Sequence, residues 1–230
     1  MAVFEEISQL VQSAMDGYNV CVFAYGQTGS GKTFTMEGGL AFEEDESELG
    51  MIPRTLKKIF EEQIKLRGKG WEYKLQVRDC FYVYRFVKMN FQASFLEIYN
   101  EEIKCLLTND PGNTKYEIKM IKSDDNDKEL HVTNLKVEDV TGQAQIASMI
   151  KRARKNRAWA KTLCNERSSR SHSVFMMKIM GENSATTETC CSTLNLVDLA
   201  GSERIKESGS EGQRLTEAQV SSVRSGYFIF

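Results

Sequence analysis

Several things this chain lacks narrow what it can be. Its six cysteines (Cys21, Cys80, Cys105, Cys164, Cys190 and Cys191) form no C-x-x-C pair, and only two histidines accompany them. That speaks against a zinc site and a disulfide framework, and suits a reducing, intracellular compartment. No apolar run can span a bilayer, because the richest window, Cys80–Leu96, carries Arg85 and Lys88. No charge of one sign dominates. A net charge of −2 gives no electrostatic case for nucleic acid or for a membrane surface. No targeting signal precedes the first helical pattern, so the expected location is cytosol or nucleus. With 41% hydrophobic residues in a length of 230, the chain can bury one sizeable core or two small ones.

What is present is organised around Gly26-Gln27-Thr28-Gly29-Ser30-Gly31-Lys32-Thr33. This fits the phosphate-binding pattern G-x-x-x-x-G-K-[ST]. The apolar run Asn19–Tyr25 before it predicts a parallel strand buried on both faces, and Phe34–Glu37 after it predicts the first turn of a helix. Glycines let backbone N–H groups close around phosphates, Lys32 reaches the outer phosphates, and the Thr33 hydroxyl can ligate Mg²⁺.

Elsewhere, Val3, Ile7, Leu10, Val11 and Ala14 recur at helical spacing, with Gly17 as a C-terminal cap. The acidic run Glu43–Glu48 reads as a solvated loop. Pro53 opens a helix that turns Leu56, Ile59 and Phe60 to one side. Tyr73–Tyr99 is strand-like, Glu101–Leu107 reads as a short helix, and Tyr116–Ile121 with Glu129–Val137 as a hairpin. Gln143–Thr162 predicts a long helix with Ile146, Met149, Ile150 and Ala153 inward. Its basic residues Lys151, Arg152, Arg154, Lys155 and Arg157 are expected on a solvated face. Ser173–Met180 and Thr193–Val197 are two further strands.

Two later motifs add chemistry. The strand Leu194–Val197 runs into Asp198-Leu-Ala-Gly201. An Asp at a buried strand end is placed to hold the water shell of Mg²⁺, and a glycine three residues on can present its N–H to a γ-phosphate. Asn165-Glu-Arg-Ser-Ser-Arg-Ser-His172 supplies hydroxyls, an amide and arginines of the kind phosphoryl transfer uses. A Ser-rich capping loop would look the same.

Together, Gly26–Thr33, Asn165–His172 and Asp198–Glu203 resemble the phosphate loop, switch I and switch II of the kinesin motor domain, in that family's order. Phe23–Gln27, Phe95–Glu101 and Asn156–Ala158 are similar to kinesin sequence too, while Val3–Ile7, Asp16–Asn19 and Met51–Arg54 resemble the C-terminal-motor, minus-end-directed class. The resemblance implies an α/β, kinesin/myosin-like P-loop fold whose central mixed, mostly parallel sheet is flanked by helices, and a microtubule-based motor ATPase using ATP and Mg²⁺. It implies that Gly26–Thr33 and Ser168 hold nucleotide, with Phe34 against adenine. Thr33, Ser169 and, through water, Asp198 would serve Mg²⁺. Asn165, Ser169, Arg170, Gly201 and Glu203 would act in hydrolysis, Arg170 and Glu203 as an ion pair. Arg204–Arg214, with Lys206, would lead toward tubulin. The implied setting is the cytoplasmic microtubule cytoskeleton and spindle, with homo- or heterodimerisation through a coiled coil outside this chain, and neither nucleic acid nor membrane as partner.

Three departures from the family pattern stand out. The family's first strand is missing. Val77–Gln92 interrupts what should be one core strand, unless Met89–Gln92 replaces Lys74–Gln76 within it and the residues between are looped out. After Gln219 the resemblance stops, leaving Val220–Phe230 as a non-family tail, so the expectation is a partial motor domain over 1–219, truncated at both ends. Val77-Arg78 and Val220-Ser221 can both be encoded from a splice-donor consensus, and Phe91-Gln92 from an acceptor, which fits retained intron sequence. One rival reading is a catalytically inactive kinesin-like protein that binds nucleotide or a partner without producing force. Another is a small GTPase-like switch, weakened because no Asn-Lys-x-Asp segment is present to read guanine.

Overall fold

The computed structural model describes residues 2–39, 45–67, 71–72, 90–109, 114–122, 128–161, 170–183 and 187–203. The first helix, α1 (Ala2–Met15), buries Val11 and Ala14 and leaves Val3 and Leu10 exposed. Its end is closed as the sequence predicts. Gly17 sits at φ 100°, and the Gly17 and Tyr18 N–H groups reach back to the carbonyls of Ala14 and Ser13, a glycine-terminated cap. Strand β1 (Val20–Ala24) leads into the phosphate loop and then α2 (Lys32–Glu37). Helix α3 (Met51–Arg67) buries Leu56 and Ile59. Before it, the acidic segment is held by Lys57 to Glu46 and by Arg54 to the carbonyls of Glu46 and Leu49.

Beyond α3 come β2 (Trp71–Glu72), β3 (Asn90–Tyr99), β4 (Glu102–Cys105), β5 (Ile118–Lys122), β6 (Lys128–Val132), β7 (Glu138–Asp139), α4 (Gln143–Lys161), β8 (His172–Asn183) and β9 (Thr189–Asp198). The main sheet has the order β1-β9-β8-β3-β4, with β2 on β8 and β7 on β3, and β5 pairs with β6 as the expected hairpin. The sheet is mixed, as expected, but its described pairings are mostly antiparallel rather than mostly parallel. Among the described pairings only β1 with β9 is parallel, because β8 and β9 run as one long hairpin and β3 returns along β8.

Period-two alternation sorts the sheet's side chains into two clusters. Phe91, Phe95, Phe175, Met177, Leu194 and Leu196 join the buried residues of all four helices, whereas Leu96, Val174 and Val197 form a smaller cluster with Val132 and Leu135. β1 departs from the expectation of burial on both faces. It stands at the end of the described strand order, and its Phe23 is 43% exposed.

Glu101–Leu107, expected as a short helix, is instead the turn and second strand of a hairpin. Tyr99 faces Glu102, and the two residues between, Asn100 and Glu101, have φ of 48° and 67°. Two consecutive positive φ values are the signature of the two-residue turn whose twist matches a hairpin. Glycine is favoured at its second position, so Glu101 carries backbone strain there. Glu101→Gly is expected to stabilise the chain by about 1 kcal/mol, read as a rise in the urea midpoint with an unchanged slope.

Candidate functional site

The parallel pairing of β1 with β9 brings two chain segments out of the sheet side by side. Ala24 lies opposite Asp198, and the pairing continues past both strands, the Leu199 N–H donating to the Ala24 carbonyl and the Ser202 N–H to the Gly26 carbonyl. The phosphate loop and the Asp-x-x-Gly segment, 165 residues apart in sequence between Thr33 and Asp198, thus share one edge of the fold. Residues 27–31 are open to solvent. Gly29 and Gly31 have φ of 80° and 89°, conformations that a side chain would strain. Lys32 folds back, its Nζ donating to the Gln27 carbonyl at 2.8 Å. Phe34 is 55% exposed.

The centre of the site is Asp198. The Thr33 hydroxyl donates to its Oδ2 at 2.7 Å, and Arg157 Nη1 reaches the same oxygen at 3.1 Å. Oδ1 is buried and carries no hydrogen bond. An open acceptor on a buried carboxylate beside a loop hydroxyl is the donor set a Mg²⁺ ion and its water shell require. Thr33 and Asp198 therefore fit the metal that the sequence suggested.

Glu203 stands over the loop. The Thr28 N–H donates to its Oε2 at 2.9 Å and the Thr28 hydroxyl to its Oε1. Burial pushes this carboxyl up, but the two Thr28 donors and Lys32 outweigh it and hold it below the usual glutamate range. Arg170, the partner that the resemblance implies for Glu203, is half-buried just before β8. A Cβ on Gly201 would run into the Glu203 carboxylate and the Thr28 hydroxyl, so a side chain there would displace this contact. Asn165, Ser168, Ser169 and Lys206 lie outside the described residues.

Beneath Asp198 is a charge cluster the sequence reading missed. Arg157 has a side chain 6% exposed, and it lies 3.5 Å from Glu37 and 3.8 Å from Glu97, both also buried. Its Nη2 donates to Ser171 Oγ at 3.4 Å. Arg154 takes the other Glu37 oxygen at 3.0 Å and the carbonyls of Gly38 and Gly39. The expectation that the basic residues of α4 share a solvated face fails for these two arginines, which meet carboxylates inside the fold. Arg152 is fixed by Glu138 at 2.5 Å, whereas Lys151 and Lys155 are exposed. The signal was in the pattern: Arg157 falls one helical step beyond Ile146, Met149, Ile150 and Ala153 on the inward stripe.

His172 completes the floor. Its Nδ1 accepts the Ala200 N–H at 3.1 Å. Burial lowers its pKa below the ordinary 6.5 against the opposing pull of Asp198. A histidine kept neutral in the fold contributes stability at pH above about 6.5, and that contribution is lost on acidification, when the unfolded chain takes up the proton more readily. Unfolding midpoints are therefore expected to fall between pH 7.5 and 5.5, and His172→Asn, which keeps an acceptor without the titration, is expected to flatten that dependence.

Among the described residues no cluster of His, Cys, Asp and Glu could hold a metal by itself, and no helix is long and apolar enough to cross a membrane. A family model for the kinesin motor domain matches residues 1–222. The chain is 49% identical over 219 residues to carboxy-terminal kinesin 2 of Xenopus laevis and 49% identical over 227 residues to kinesin-related protein 2 of Dictyostelium discoideum, covering 95% of this chain each time. It spans 31% and 26% of those curated relatives. Among solved structures, the motor domain of the Saccharomyces cerevisiae kinesin-like protein Kar3 aligns at TM-score 0.73 and 41% identity, over 97% of this chain and 58% of that one.

Proposed function

The chain belongs to the kinesin motor domain family, and from that premise we propose that it is part of a microtubule-based motor ATPase of the minus-end-directed class. The observation that carries this reading is the Thr33–Asp198 hydrogen bond with Asp198 Oδ1 left open beside it. A nucleotide loop and a metal-water acceptor are already assembled in one place. ATP is the nucleotide favoured, since no guanine-reading segment is present. Bound Mg²⁺ would supply charge neutralisation of the phosphates.

The chain's own residues divide the remaining work. The amides of Gly26–Gly31 and Lys32 bind phosphate oxygens, and Thr33 and Asp198 hold the metal, Asp198 through water. Gly201 is the flexible point by which the switch II segment can follow the terminal phosphate, and Glu203 couples that segment to the loop through Thr28. Asn165, Ser168, Ser169 and Arg170 are assigned to switch I on the resemblance, and Arg204–Arg214 to the approach to tubulin. The similarity to C-terminal kinesins supports a cytoskeletal site of action at microtubules and the spindle. A solved structure of the C-terminal motor and motor homology domain of Kar3Vik1, fused to a synthetic heterodimeric coiled coil, is compatible with dimerisation of the whole protein through a coiled coil outside this chain.

Nucleotide retention and phosphate release, with and without microtubules, test the reading. Glu203→Ala is expected to retain a fluorescent ATP analogue while turnover falls by roughly 100-fold. Undiminished turnover in that variant overturns its assigned role. A parent chain that retains nucleotide yet releases no phosphate favours the force-free binding protein instead.

A further inference from the structure

We propose that Arg157 is a positioning residue for Asp198, holding the carboxylate so that Oδ1 stays open toward the water shell of a nucleotide's Mg²⁺; this rests on the nucleotide reading above. The guanidinium shares Oδ2 with the Thr33 hydroxyl. It also donates to Ser171 at 3.4 Å and lies 3.5 Å from Glu37 and 3.8 Å from Glu97, so acidic groups on two further elements hold it in place beside Asp198. Lysine keeps the charge but not the planar fork that meets several partners at once. The test titrates Mg²⁺ against retention of a fluorescent ATP analogue. In Arg157→Lys the Mg²⁺ needed for half-maximal retention is expected to rise about tenfold, with the Mg²⁺-free affinity close to the parent's and the chain still folded.

An Arg157→Lys chain with the parent's Mg²⁺ dependence overturns the proposal. If that variant does not fold, Arg157→Met combined with Glu97→Gln removes one buried charge of each sign and is expected to fold while keeping the Mg²⁺ shift; an unshifted profile there overturns it equally. Should the parent retain no nucleotide, the functional reading fails. The positioning claim is then decided by unfolding midpoints of Arg157→Met, Asp198→Asn and the pair. Partial recovery in the double variant upholds it, and simple additivity overturns it.

The register of the β8 ladder carries a second inference independently. Trp71 faces Asn183 and Glu72 faces Glu182, while Asn90 faces Met180 and Ala93 faces Met177. From Glu72 to Asn90 the partner strand advances two residues and this chain eighteen, a surplus of sixteen. We infer that β2 and β3 are two halves of one core strand, and that Lys74-Leu75-Gln76 and Asn90-Phe91-Gln92 are alternative occupants of the same three ladder positions. The patterns agree. Phe91, 3% exposed and edge-on to Phe60 at 5.7 Å, corresponds to the apolar Leu75, and each is flanked by polar residues. Joining Gln76 directly to Ala93 leaves every pairing from Trp71 to Ile98 in phase.

Removing residues 77–92 from the full chain is expected to preserve cooperative unfolding and to raise the midpoint by about 5 °C, because fewer residues then separate two segments paired with one strand. Removing 77–91, one residue fewer, shifts the strand by one and turns its core side chains outward, and is expected to abolish the cooperative transition. If the shorter side chain at the Phe91 position weakens the first variant, Leu75→Phe within it restores the midpoint. Equal behaviour of the two deletions, or failure of the first even with Leu75→Phe, overturns the inference.

Discussion

The Asp198 carboxylate is the point at which three parts of the chain are fastened together. One oxygen receives the Thr33 hydroxyl from the phosphate loop and the Arg157 guanidinium from α4, and the residue itself ends β9. This meeting depends on direction. Because β1 and β9 are parallel, their carboxyl ends coincide, so the loops leaving them emerge on the same edge of the sheet, where α/β proteins bind ligands. An antiparallel β1 would carry the phosphate loop to the far end of β9, and no choice of side chains could then join Thr33 to Asp198.

The energetics of this junction favour a cation. Glu37, Glu97 and Asp198 are three buried carboxylates meeting two guanidiniums, Arg154 and Arg157. Burying an ion costs several kcal/mol even after relaxation, so each must be engaged. Glu37 is shared by both arginines, and on Asp198 the buried Oδ1 has no donor. That oxygen costs stability in the fold alone and becomes favourable once a hydrated divalent ion stands beside it. The Glu203–Thr28 contact acts on the opposite side of the loop. It replaces water around an exposed threonine with a fixed carboxylate, and Gly201 is the residue small enough to let it form.

Much of this was legible in the sequence, and the failures have physical causes. The phosphate loop, the strand before it, the Gly17 cap and the Asp198 junction follow from local patterns whose chemistry admits few alternatives. The Arg154 and Arg157 placement was missed because a basic helix face is usually solvated, and their partners Glu37 and Glu97 come from α2 and β3, far away in sequence. The hairpin at Asn100-Glu101 was read as a helix because glutamate gives no hint of a positive φ. The parallel direction of β1 was legible in its apolar run, whereas the mostly parallel sheet came with the family resemblance, and the other described pairings are antiparallel.

The β3 ladder shows why an interruption inside a core strand need not destroy it. A strand is specified by phase and by partner, not by continuity of the chain. Side chains alternate with period two, so any substitute segment that presents an apolar residue at the Ile179 level, with polar neighbours on either side, satisfies β8 as well as the uninterrupted chain would. Phe91 meets that condition, and it contacts Phe60 of α3 across the core. The cost falls elsewhere, in the entropy of closing the chain between two paired segments, which grows only logarithmically with the number of residues between them. Register is therefore the strict constraint and the number of intervening residues the lenient one, and the pairing of β2 and β3 with one partner strand reflects that order.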